Sequence, residues 1–229
     1  MTLVDFNPAQ AMGEEISRVL SVYKQEEKPV LLFLSGGTAL SPLEYIPPKM
    51  LSGMVTLTTL DERYAPSGLN SNFVALSRTS FFKNAQMEGV QVIDTCVLAG
   101  ESQKELADRI DADVRAWMIE HPNGVLLAVA GVGADGHTAG MMPYPEDRVK
   151  FAELFEGERL FVAYDASGKN QFPLRVTATM TLLRKLNHAF LYARGEEKRE
   201  ALRRMKAEGV LAECPARIFQ EIPTTLYSG

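Results

Sequence analysis

The segment GVGADGHTAGMMP, residues 131–143, holds the side chains of this 229-residue sequence best placed to move a proton. Imidazole exchanges protons readily near neutral pH, and a carboxylate two residues away, Asp135, can fix its tautomer. His137 is therefore a candidate general base, although a lone histidine is more often structural than catalytic. Gly131, Gly133 and Gly136 also match the dinucleotide pattern G-x-G-x-x-G. That pattern needs its last glycine at the start of a long helix, and Pro143 and Pro145 follow too closely for one. His121 and His188 lie in no comparable setting and read as surface or packing residues.

Two further loops combine glycine or charge with the end of an apolar run. Ser35, Gly36, Gly37 and Thr38 follow Val30–Leu34, and glycines there let backbone N–H groups surround an anion at a helix N-terminus. The alternative is a tight turn that needs glycine only for its geometry. Ser41, Pro42 and Glu44 read as a capping box opening a short helix. Asp61, Glu62 and Arg63 follow Val55–Thr59, with Ser71 and Asn72 soon after. Three adjacent charges cannot all be core; either they form a solvated turn, or Asp61 orients a water or a catalytic histidine while Arg63 holds an oxyanion or phosphate. Arg175 is placed at the opening of a helix and Lys198 in the first turn after a strand. Cations are disfavoured at helix N-termini, so anion binding is one reason for each, and a solvated charge the other.

The elements that must position these residues alternate along the chain. Val30–Leu34, Val55–Thr59, Val90–Ile93, Val125–Ala130, Leu160–Ala163 and Ala189–Ala193 are short apolar runs of the kind that form buried parallel strands. Between them, Met12, Ile16, Leu20 and Tyr23 recur at helical spacing after Asn7 and Pro8, a cap and first turn. In Gln103–Glu120, Leu106, Ile110, Val114, Trp117 and Met118 form one stripe, with Lys104, Glu105, Asp108 and Asp111 facing away. A third helix, Glu196–Glu208, buries Ala201, Leu202 and Met205 and stops at Gly209. The pattern predicts an α/β fold: an open, mostly parallel, doubly wound sheet with helices on both faces, in one domain spanning residues 1–229. Ligands of such sheets bind beyond the carboxyl ends of the strands, where the three loops lie.

Composition narrows the partners. The formal charge of −5 argues against a general nucleic-acid or membrane-surface binder and for a small molecule. Cys96 and Cys214 are too few and too far apart for a disulfide framework or a metal set. No run reaches the roughly 20 apolar residues that span a bilayer, and the N-terminus lacks a secretory pattern, so a cytoplasmic location is expected.

Taken in order, LFLSGGT, LDERYAP with SNF, GVGADGHTAGMMP, and RVTATMTLL with RGEEKREAL cover roughly residues 30–205. In these blocks the chain resembles the family of 6-phosphogluconolactonases and glucosamine-6-phosphate deaminases. DERYAP and GHTA point to the lactonase branch, since deaminases typically carry Asp-Glu-Tyr and Gly-His-Ile-Ala. Ala39 and Leu40, Ala134, and Gly140-Met141-Met142 depart from the usual lactonase pattern, and the tail 214–229 lacks the family's aromatic and acidic ending. The resemblance implies a Rossmann-like fold and hydrolysis of 6-phosphogluconolactone in the oxidative pentose phosphate pathway, without metal or organic cofactor. It implies His137 as base, held by Asp61 or Asp135, with Arg63 or backbone N–H groups on the oxyanion. The phosphate would lie on Gly36, Gly37 and Thr38, with Asn72, Arg175 and Lys198. A deaminase using Asp61 as carbon base, or a non-catalytic sugar-phosphate binder, are the alternatives. Monomer is the favoured oligomeric state.

Overall fold

A computed structural model describes residues 3–4, 7–51 and 53–229. Strand β1 (Leu3–Val4) precedes helix α1 (Pro8–Gln25), which Asn7 caps through its side chain. Next come β2 (Val30–Leu34), a 3₁₀ segment (Gly37–Tyr45), β3 (Val55–Thr59), β4 (Asp61–Arg63), α2 (Asn72–Ser77), α3 (Ser80–Met87) and β5 (Gln91–Val92). The second half runs α4 (Gln103–Glu120), β6 (Val125–Gly131), α5 (Arg148–Phe155), β7 (Phe161–Asp165), β8 (Leu174–Ala178), α6 (Met180–Leu183), β9 (His188–Ala193), α7 (Arg199–Lys206) and β10 (Thr224–Ser228).

Seven strands form one parallel sheet in the order β1-β10-β9-β6-β2-β3-β5. Alternation along its central strands feeds two cores. Val30, Leu32 and Leu34 of β2, with Val125, Leu127 and Val129 of β6, meet α1, α2 and α3 on one face. Leu31 and Phe33, with Leu126 and Ala128, meet the apolar stripe of α4 and residues of α6 and α7 on the other. Both faces are dry, which is why these strands read as unbroken apolar runs. Each fully buried Leu or Phe stabilises the sheet by about 1.5–3 kcal/mol. The doubly wound arrangement expected from the sequence is thus present, and among the described residues no helix is long and apolar enough to cross a membrane.

Several expectations are corrected. Leu160–Ala163 is displaced to β7, and β7 leaves the parallel sheet altogether: β4, β8 and β7 form a separate antiparallel sheet. Arg175 does not open a helix but lies in β8, because the alternating Leu174-Arg175-Val176-Thr177-Ala178 pairs on both edges; the helix starts later, capped by Thr179. Ser41 and Glu44 form no capping box, since the 3₁₀ turn already begins at Gly37 and carries Pro42 inside it. Asp111 does not face solvent. Its carboxylate accepts the N–H groups of Leu160 and Phe161 and an ion pair from Arg115, tying α4 to the start of β7.

Candidate active site

Four neighbouring parallel strands deliver their carboxyl-terminal loops to one cavity of about 330 Å³. β9 brings Lys198, β6 brings His137, β2 brings Gly36, Gly37 and Thr38, and β3 runs into Asp61 and Arg63. The strand order reverses direction between β2 and β6, so the cavity sits in the crevice where doubly wound sheets bind ligands. Asn72 and Arg175 also line it, with Asn170, Gln171 and Phe172 forming the far wall. Of the residues to which the resemblance assigns a role, Asp135 alone does not line the cavity; it stands behind His137.

His137 Nδ1 lies 2.5 Å from Asp135 Oδ1, and the same oxygen accepts the His137 backbone N–H at 3.1 Å. Burial alone would raise the Asp135 carboxyl, but the hydrogen bond and charge of His137 and nearby backbone N–H groups outweigh it and hold the carboxyl below its ordinary value. An ionised Asp135 can only accept, so the neutral imidazole carries its proton on Nδ1 and presents Nε2 as its acceptor. The imidazole folds back over Gly133, where any Cβ would overlap the ring. From behind, Arg204 donates to the Asp135 carbonyl and the N–H of Ala216 to the Gly136 carbonyl. Helix α7 and the tail 214–229, in which the sequence reveals no functional residue, thus support the loop.

Asp61 does not reach His137's hydrogen-bond shell. Its Oδ2 pairs with Arg175 Nη1 at 2.9 Å, with both side chains less than a tenth exposed. Arg175 is further held by the Phe172 carbonyl and Asn170 Oδ1. In the β4–β8 ladder Arg63 stands directly opposite Arg175. Like charges in opposite positions repel, and Asp61 balances only one of them. Arg63 stacks over Phe172 at 5.2 Å and donates to the Asn70 carbonyl, leaving its buried Nε without a partner among the described residues. Lys198 has no hydrogen-bond or ion-pair partner for its side chain among them either. Three cations against one carboxylate give the cavity an excess of positive charge, which favours an anion over a cation.

Glu62, for which the sequence suggests no specific task, is 1% exposed. Its carboxylate accepts the N–H groups of Arg63, Asn72 and Phe73 and the Ser71 hydroxyl. Burial pushes its pKa up, and those donors pull back only part of the way. Glu62 thereby fixes the start of α2 and with it Asn72, whose amide donates to the Asp61 carbonyl and packs on Gly36. The first N–H groups of the turn that begins at Gly37 have no partners within that turn. Among the described residues no group of three or more His, Cys, Asp or Glu side chains is arranged to hold a metal ion.

The chain is 25% identical over 214 residues to a 6-phosphogluconolactonase of Neisseria meningitidis serogroup A, covering 92% of this chain and 88% of the relative. A glucosamine-6-phosphate deaminase 2 of Bacillus subtilis is 29% identical over 109 residues, covering only 45% of this chain and 44% of the relative. The crystal structure of a 6-phosphogluconolactonase from Shewanella baltica superposes with a TM-score of 0.76 at 18% identity, covering all of this chain and 97% of that one, so the fold is shared. The model of the glucosamine-6-phosphate isomerases/6-phosphogluconolactonase family matches residues 7–227, and the chain belongs to that family.

Proposed function

We propose that this protein hydrolyses 6-phospho-D-glucono-1,5-lactone to 6-phosphogluconate, the lactone-opening step of the oxidative pentose phosphate pathway. The observation that carries the reading is the Asp135–His137 pair, with Nε2 of the imidazole left free beside a cationic cavity. Relatives matched over most of the chain are named 6-phosphogluconolactonases, whereas the deaminase match covers less than half of it.

In the reaction, His137 Nε2 takes a proton from water as the water oxygen bonds to the lactone carbonyl carbon, whose π pair moves onto oxygen. The tetrahedral species collapses, the bond to the ring oxygen breaks, and the imidazolium returns its proton to that oxygen. The product acid then ionises. Asp135 holds the tautomer and stabilises the imidazolium. Lys198 and the N–H groups of the Gly36–Thr38 turn hold the 6-phosphate, and Arg63 supplies further positive charge. Asp61 acts through Arg175 and the shape of the cavity rather than on His137.

The test is freshly prepared lactone followed by a coupled 6-phosphogluconate dehydrogenase, corrected for spontaneous hydrolysis, with glucosamine 6-phosphate and an ammonia readout alongside. Lactone turnover that disappears in His137→Ala is the expected result. Ammonia release with no lactone turnover would replace the reading by deamination, and binding without either would make the protein a sugar-phosphate binder.

A further inference from the structure

The segment just after His137 contains a feature that proton transfer does not explain. Ala139 and Gly140 are buried, line the cavity, and have positive φ angles of 49° and 79°. Among the described residues neither backbone N–H has an acceptor. Buried N–H groups without partners are rare in folded proteins, because leaving one unmet forfeits its hydration with nothing in return. Their carbonyls, by contrast, are both engaged. Thr177 Oγ1 donates to the Ala139 carbonyl, and the Tyr164 hydroxyl donates to the Gly140 carbonyl at 2.5 Å while accepting the Met142 N–H at 3.3 Å.

This pattern fixes a direction. The described peptide bonds are all trans, so the Gly140 N–H points opposite to the Ala139 carbonyl and hence away from Thr177. The Ala139 N–H points opposite to the Thr138 carbonyl, which is occupied by the Met141 N–H. Gly140 must also lack a side chain here, because a Cβ would stand 2.7 Å from that of Asp61. The Asp61 carboxylate beside it is balanced by Arg175, so no uncompensated negative charge opposes an anion at this point.

We infer that the N–H groups of Ala139 and Gly140 stabilise the oxyanion formed when water adds to the lactone carbonyl, and that Tyr164 and Thr177 are positioning residues that aim them. The inference rests on the lactonase reading and adds to it the donors on which the carbonyl electron pair comes to rest. Donors fixed in advance need no reorganisation when charge develops, and the unmet hydrogen bonds of the resting enzyme are made only in the transition state.

The test replaces the Gly140 amide by an ester through semisynthesis, exchanging one N–H for oxygen, with Tyr164→Phe and Thr177→Val made separately and folding checked by thermal melting. In a protein whose unmodified form turns over lactone, the ester should lower kcat by at least about tenfold with KM nearly unchanged. It should cost more than Thr177→Val, which only loosens the same peptide. Tyr164→Phe should lower kcat without moving the pH profile, since His137 and Asp135 are untouched. A folded ester variant with kcat within twofold of the unmodified protein overturns the inference while leaving the lactonase reading intact. Failure of the unmodified protein to turn over lactone overturns both.

Discussion

The carboxylate of Asp61 and the guanidinium of Arg175 face each other across 2.9 Å on adjacent strands of the small antiparallel sheet, both nearly sealed from water. They are diagonal neighbours on one face of that sheet, with Asp61 two residues from Arg63 and Arg63 directly opposite Arg175, so the pair joins β4 to the far wall of the cavity. Removing one partner strands the other charge. Arg175→Met should destabilise the fold by about 3–5 kcal/mol in urea unfolding. Arg175→Lys should recover little of this, because one ammonium cannot span Asp61, the Phe172 carbonyl and Asn170 together.

Asp135→Asn should leave substrate affinity close to that of the parent and reduce kcat by about a hundredfold or more, because an amide can present its NH₂ to Nδ1 and favour the wrong tautomer. Steady-state kinetics with fresh lactone separates the two constants. The lowered Asp135 carboxyl also has a stability signature. Its contribution is fully present above the ordinary aspartate pKa near 3.8 and is lost as pH falls through the lower folded value. Acid unfolding below about pH 4 should therefore be less steep in the Asn variant.

Glu62 has the opposite sign. A carboxyl held above its ordinary value of 4.5 binds its proton more tightly folded than unfolded, so its contribution to stability is greatest below that value and declines as pH rises through the folded pKa. Glu62→Gln should abolish that decline when unfolding free energies are compared on the two sides of it. It should nevertheless destabilise the protein by about 1–3 kcal/mol, since an amide nitrogen would confront the N–H groups of Asn72 or Phe73.

Lys198→Ala should raise KM about tenfold or more with kcat little changed, the signature of binding made equally in ground and transition states. Its side chain holds no other residue, so the unfolding free energy should stay within about 0.5 kcal/mol of the parent. A fall in kcat without a rise in KM would remove Lys198 from phosphate binding.

What could be read in advance divides along physical lines. The buried strands of the main sheet and the helices α1 and α4 announce themselves because each repeats one pattern over several residues. Gly36, His137 and Lys198 were legible as loop chemistry because they follow such strands. The second sheet was not, since β4 has three residues and shows too little alternation, and Arg175 beside a threonine-rich run could equally begin a helix. Glu62 was hidden for a related reason: four of its five donors come from its own neighbour and from residues 71–73, the fifth is the distant Thr95 hydroxyl, and no spacing marks a charge as buried. Tyr164 and Thr177 meet the Ala139–Gly140 carbonyls only through the tertiary fold, so no local pattern could point to them.

The strand order has a last consequence, for folding. β10 lies between β1 and β9, yet it is the last of the described strands to be made. Until residues 224–228 pair, one edge of β9 is unmatched and β1 has no strand to join. A folding chain in which β10 has not yet docked would present that bare edge to other chains, and β10 is the stopper that closes it.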